Sequence, residues 1–136
     1  MIATVTIPGD PFGKPRPRHA GRGTYRTKAD KQYELRVRAA WRDAGSPAFG
    51  SAPVSVRVDA YAPLPTSRPK RVHAEPYVIK PDADNIAKAV TDPLNKLAWD
   101  DDSQITALVV IKHDRMRDIL PHVTMTITQI GDDAPC

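Results

Sequence analysis

Lys80-Pro81-Asp82-Ala83-Asp84-Asn85-Ile86-Ala87-Lys88 is followed, eleven positions after Lys88, by Trp99-Asp100-Asp101-Asp102-Ser103-Gln104-Ile105. This stretch decides the reading of the chain. Ile86, Val90, Leu94 and Leu97 recur at the spacing of one helix face. Asp84 is a residue type that caps a helix start. Pro93 lies inside the pattern and has no N–H to bond the carbonyl one turn back, so the helix should kink or end near Asp92. Pro81 biases Lys80 toward extended backbone. If that extension runs on through Asp84, the carboxylates of Asp82 and Asp84 point the same way. Ile105 to Ile111 is a near-continuous apolar run, the pattern of a strand buried on both faces.

Charge sets the same stretch apart. Between Asp82 and Asp102 there are six aspartates and two lysines, a net of −4 inside a chain of +4. Three adjacent aspartates on a short turn repel one another unless a cation intervenes. Oxygen ligands without His or Cys suit magnesium or manganese, not zinc. A calcium loop of the EF-hand kind is excluded: counted from Asp82, its fifth, sixth and twelfth positions are Ile86, Ala87 and Pro93. Asp84, Lys88 and Asp92 are spaced to share a helix face. They form either an ion-pair ladder, worth about 0.3–0.5 kcal/mol per pair, or a lysine aimed at a phosphate beside a metal. Sequence leaves both open.

Outward toward the N-terminus, Ala62 to Pro81 holds five prolines and the basic residues Arg68, Lys70 and Arg71. It reads as a long loop, 62–81, serving as a lid over a ligand or lacking fixed structure. Val54, Val56 and Val58 alternate with polar residues, a strand with one wet face. Thr27 can cap a helix that Tyr33, Val37, Ala40, Trp41 and Ala44 line on one side and Gly45 ends. Lys31, Arg38 and Arg42 fall on its other faces, open to solvent or phosphate. Trp41 reads as core. From Lys14 to Arg42 there are ten basic and two acidic side chains, a net of +8. Such crowding repels itself, so either a polyanion partner or a solvated basic face is implied. Lys14, Arg16, Arg18, His19 and Arg22, with Arg68, Lys70 and Arg71, are the expected phosphate contacts. Ile2 to Ile7 alternates as a first strand. Beyond the central stretch, Val123, Met125 and Ile127 mark a last strand, and 131–136 a flexible tail.

The length, 136 residues, suits one domain over 1–136 that buries its core without staples. The fold class expected is α/β (α+β): a mixed sheet of about four strands flanked by two helices. The single cysteine, Cys136, allows no disulfide within the chain and no Cys-based zinc site. Met1 to Asp10 has no signal-peptide pattern, and Ala107 to Ile111 is too short to span a bilayer; a cytoplasmic protein without membrane contact is expected. No Ser-His-Asp order, phosphate-cradling glycine loop or dinucleotide fingerprint occurs. His19, His73, His113 and His122 are scattered and read as non-catalytic.

Pro-Asp-Ala-Asp-Asn at 81 to 85, Lys88, Asp92, Leu94 and Trp-Asp-Asp-Asp-Ser-Gln-Ile at 99 to 105 resemble the RusA family of Holliday junction resolvases. Gly-Lys-Pro-Arg-Pro-Arg at 13 to 18 looks like the basic segment of its phage and prophage members. The resemblance implies a homodimeric endonuclease that cuts four-way DNA junctions in recombination and repair, with magnesium as cofactor and manganese as a substitute. It implies catalytic roles for Asp82, Asp84, Asp102 and Lys88, with Asp101 a further candidate ligand. Pro93 stands where the family usually has alanine, and Asp100 adds an acid beside the site. The rival expectations are a nuclease for other branched DNA, a non-catalytic DNA-binding protein, and an acidic protein-interaction module.

Overall fold

The computed structural model describes residues 1–15 and 27–131. Along the chain follow β1 (Ile2–Pro8), α1 (Lys28–Asp43), β2 (Val54–Tyr61), β3 (Ala74–Glu75), α2 (Ala83–Thr91), β4 (Ile105–Lys112), β5 (Arg115–Met116) and β6 (His122–Gln129). Four strands form one mixed sheet in the order β1-β6-β2-β4. β6 runs antiparallel to both neighbours, and β4 runs parallel to β2. β3 and β5 make a separate antiparallel ribbon. The expected α+β architecture, a four-stranded mixed sheet with two helices, is what forms.

Period-two patterning explains the sheet. Val5 and Ile7, then Val54, Val56 and Val58, then Val123, Met125 and Ile127 are all fully buried. They meet Tyr33 and Val37 of α1 and Ile86 and Val90 of α2 in one core. Register pairs Val5 with Met125 and Met125 with Val58, so the apolar stripes line up across three strands. Each such side chain contributes roughly 1.5–3 kcal/mol on burial.

α1 starts as the sequence predicts. Thr27 is extended, and its hydroxyl oxygen accepts from the Asp30 N–H at 3.1 Å. Gly45, with φ +94°, takes the left-handed conformation just past the end. Trp41 packs against the core and its indole N–H donates to the Pro47 carbonyl at 2.9 Å. Arg38 departs from expectation. It donates to the Pro93 carbonyl at 3.1 Å and pairs with Glu34 at 2.6 Å, so it ties α1 to the end of α2.

β4 is not buried on both faces. It pairs with β2 alone, at the edge of the sheet, and Leu108 and Val109 are each 49% exposed. Only Ile105 and Val110 of this strand pack against the core. A continuous apolar run is the same string of letters whether the strand is central or at an edge; topology separates the two cases. Leu97 likewise leaves the predicted stripe and is 40% exposed, because α2 has already ended.

The segment 62–81 contains β3 and is held at several points. Leu64 N–H donates to the Met116 carbonyl at 3.0 Å. Glu75 receives Arg68, at 2.9 Å, and Arg115. Arg117 donates to the carbonyls of Pro69, at 3.0 Å, and Val72, at 2.6 Å. Tyr77 is buried beneath the Lys112 ammonium, 4.2 Å from its ring centre.

Candidate active site

α2 and the turn that precedes β4 carry the acids. The residue before α2 is Asp82, not Asp84: it is extended, with φ −71° and ψ 152°, and the helix begins at Ala83. The backbone therefore turns between the two aspartates, and the alternation expected of an extended run does not operate. Asp82 makes no side-chain cap bond, so the helix does not consume its carboxylate. Asp84 lies in the first turn, where the helix dipole favours negative charge. Asp82, Asp84 and Lys88 are exposed. Among the described residues no side-chain hydrogen bond or ion pair engages any of the three. The ion-pair ladder through Lys88 does not form.

The other end of α2 is where Pro93 acts. The helix stops at Thr91 and passes into a single 3₁₀ turn, Asp92–Leu94, close to the expected break. Asp92 is the residue that closes α2, and its Oδ2 accepts from the Lys14 ammonium at 2.7 Å. Lys14 is itself fixed, its N–H donating to the Asn85 carbonyl at 3.0 Å.

The acidic turn is stapled to the loop before β2. Phe49 N–H donates to the Ala98 carbonyl at 2.7 Å, and Asp100 N–H to that of Gly50 at 3.0 Å. The Gln104 side-chain amide donates to the carbonyls of Gly50, at 2.7 Å, and Ala52, at 2.8 Å. Gln104 and Asp101 form a reciprocal cap around a second 3₁₀ turn, Asp102–Gln104: Asp101 accepts from Ser103 N–H at 3.0 Å, and Gln104 accepts from Asp101 N–H at 2.7 Å. The bonds from Ser103 hold the Asp101 carboxyl below the usual range. Asp101 is occupied with shaping the turn.

Asp102 is different. Its Oδ1 accepts from the indole N–H of Trp99 at 2.7 Å, and Trp99 is itself 1% exposed. Burial pushes the Asp102 carboxyl above its ordinary value; the Trp99 bond and Lys14 pull it down, while Asp92 and Asp101 push it further up. Asp92, Asp101, Asp102, Lys14 and Trp99 thus share one corner. Sequence reasoning does not mark Asp92 or Trp99 as site residues. The spacing of Asp92 is visible in the sequence; its partner Lys14, 78 positions away, is not.

Of the expected phosphate contacts, Lys70 and Arg71 are exposed, and Arg68 is bonded to Glu75. Arg16, Arg18, His19 and Arg22 lie outside the described residues. A second charged cluster has no signal in the sequence: Asp59 on β2, 7% exposed, accepts bonds from Arg57 and meets His113 Nε2 at 2.8 Å. Tyr61 stacks on His113 and on His122, with ring centres 4.4 Å apart in each case.

Among the described residues no three carboxylates or imidazoles are grouped tightly enough to grip a metal ion as they stand. The donor chemistry nonetheless fits a hard divalent cation. The side chains offered are carboxylates, Asp82 and Asp84 make no side-chain hydrogen bond or ion pair among the described residues, and Asp102, raised first by burial and then by Asp92 and Asp101, is in surroundings that a cation would relieve.

Comparison with known proteins gives the class. Residues 8–128 match the family described as Endodeoxyribonuclease RusA, and the chain belongs to that family. It is also 34% identical over 122 positions to an uncharacterised protein, YqaN, of Bacillus subtilis strain 168, a match spanning 79% of this chain and 84% of that one. No helix among the described residues is long and apolar enough to cross a membrane.

Proposed function

We propose that this chain is a magnesium-dependent endonuclease that resolves four-way DNA junctions by paired nicks. Membership of the RusA endodeoxyribonuclease family carries the reading. The side chains that match its motif support it: Asp82, Asp84 and Lys88 are exposed and make no side-chain hydrogen bond or ion pair among the described residues, and Asp102 is held by Trp99 on a capped turn.

Asp82, Asp84 and Asp102 would hold the cation. When bound, magnesium supplies an activated water and offsets phosphate charge. The protein's own part is placement. Trp99 holds one oxygen of Asp102 by its indole N–H. Lys88 stabilises charge that develops on the phosphate in the transition state. Lys70, Arg71 and the basic residues Arg16, Arg18, His19 and Arg22 are the expected contacts to backbone phosphates. In a homodimer two such sites related by a twofold axis match the two opposed strands of a junction. The half-exposed apolar edge of β4 offers a surface for the second copy to cover.

The test is cleavage of a synthetic mobile four-way junction, with linear duplex and flap controls, in magnesium and then in EDTA. Paired symmetric nicks in the junction alone, lost in EDTA, are expected. Asp82→Asn should abolish cleavage, while junction binding survives. Cleavage by Asp82→Asn at the parent rate overturns the assignment.

A further inference from the structure

Lys14 opens the most basic stretch of the chain and on sequence alone is a phosphate contact. Its surroundings say otherwise. Gly13 lies so close to the motif that carries the acids that a Cβ there would sit 2.5 Å from the Pro81 Cβ. The next N–H is bonded to Asn85, and the ammonium reaches Asp92 at 2.7 Å. Gly13 and the backbone and side chain of Lys14 are thus held by Pro81, Asn85 and Asp92, before, within and at the end of α2.

Asp92 needs such a partner. It closes the C-terminal end of α2, where the helix dipole disfavours negative charge, and it stands near Asp102, another acid. The pair is partly sheltered, with side chains 27% and 35% exposed. Pairs this exposed contribute little to stability, so the fold alone does not account for it.

We propose that Lys14 is a positioning residue of the active site, which holds Asp92 and thereby sets the surroundings of Asp102, rather than a contact to DNA phosphate. The proposal rests on the endonuclease reading. The two roles predict different measurements. If Lys14 binds a phosphate, removing its charge should weaken junction binding and lower the slope of log affinity against log salt by about one. If it positions Asp92, the same change should leave binding and slope unaltered and slow cleavage of the bound junction by about 10–100-fold, the range typical of residues that orient ligating side chains.

The experiment measures Lys14→Gln, Lys14→Arg, Asp92→Asn and the Lys14→Gln/Asp92→Asn double variant for junction affinity at several salt concentrations and for single-turnover cleavage. The expected result is unchanged affinity and slope, slowed cleavage for Lys14→Gln, partial rescue by Lys14→Arg, and a double variant no slower than the worse single one. A lowered salt slope with normal cleavage of bound junction overturns the proposal, as does full additivity. A readout independent of cleavage is amine labelling of the DNA-free protein followed by mass spectrometry. Lys14 should react more slowly than the exposed Lys31 and Lys70 and speed up in Asp92→Asn; an unchanged rate overturns the pairing. If the parent nicks no junction while labelling behaves as expected, the endonuclease reading falls and the Lys14–Asp92 pairing stands.

Discussion

Asp59 and Asp102 are both substantially enclosed aspartates beside the same sheet, and they are opposites. Asp59 has cationic or imidazole partners on both oxygens: Arg57 from its own strand and His113 from just beyond the next. The Arg57 bond, ahead of the opposing cost of burial, holds its carboxyl below the ordinary value. Asp102 has one neutral donor, the Trp99 indole, and acids at Asp92 and Asp101 nearby; burial leads the push above the ordinary value. The first site is complete within the chain. Among the described residues the second is left with a poorer balance, the indole and a more distant Lys14 set against burial and two acids. A protein tolerates such a deficit where it has chemistry to do, and the family assignment supports that reading of the Asp102 corner.

Trp99→Phe should lower both cleavage and stability. It removes the donor to Asp102 and leaves a ring of similar shape in a fully buried position. If Asp102 is a cation ligand as proposed, cleavage should fall by about 10–100-fold. Stability should drop by about 1–2 kcal/mol for the smaller ring volume. Rates measured well below the melting temperature separate the two. A variant that melts earlier yet cleaves at the parent rate would make Trp99 a core residue only, and the contrast with Asp59 would lose its mechanistic side.

How far the sequence carries this contrast depends on the range of each interaction. The Thr27 cap, the end of α2 before Pro93, and the strands at Val5, Val56 and Met125 are legible, because each depends on neighbours within a few residues. The edge position of β4 is not, since Leu108 and Val109 look the same to a reader whether or not another strand lies beyond them. Nor is the cap at Asp82, where the sequence offers two aspartates and only the backbone angle chooses. Asp59 with His113 and Lys14 with Asp92 join residues 54 and 78 positions apart, brought together by sheet register and by docking of the N-terminal segment. No local pattern marks either pair. The candidate acids are found through the family motif; what each acid touches comes from the fold.

Asp59→Asn should cost stability and leave catalysis alone. It loses the charge that binds Arg57 and His113, about 1–2 kcal/mol at neutral pH by the usual range for bonds to charged groups. The pH dependence has a definite sign. A carboxyl lowered on folding stabilises the protein above its unfolded value, ordinarily 3.8, and that contribution disappears as pH falls through the folded value. The melting temperatures of Asp59→Asn and the parent should therefore differ most at neutral pH and converge below pH 3.8. A gap that stayed constant to low pH would show that the charge is not what Asp59 contributes.

Asp102→Asn carries the smallest and most telling shift in stability. A carboxyl raised on folding penalises the folded state when ionised. That penalty is full above the folded value and vanishes as pH falls toward the ordinary 3.8. Asparagine keeps an oxygen to accept from Trp99 and removes the charge beside Asp92 and Asp101. The variant should lose cleavage and yet melt about 1–3 °C higher at pH 7, the shift that a fraction of a kcal/mol produces in a chain of this size. The gain should shrink in acid, the same direction of convergence as in Asp59→Asn but from the opposite side of the parent. In the parent, added magnesium should raise the melting temperature by occupying the same site. Equal destabilisation by both asparagine variants would mean that Asp102 is as well satisfied within the chain as Asp59, and the corner would then be structural.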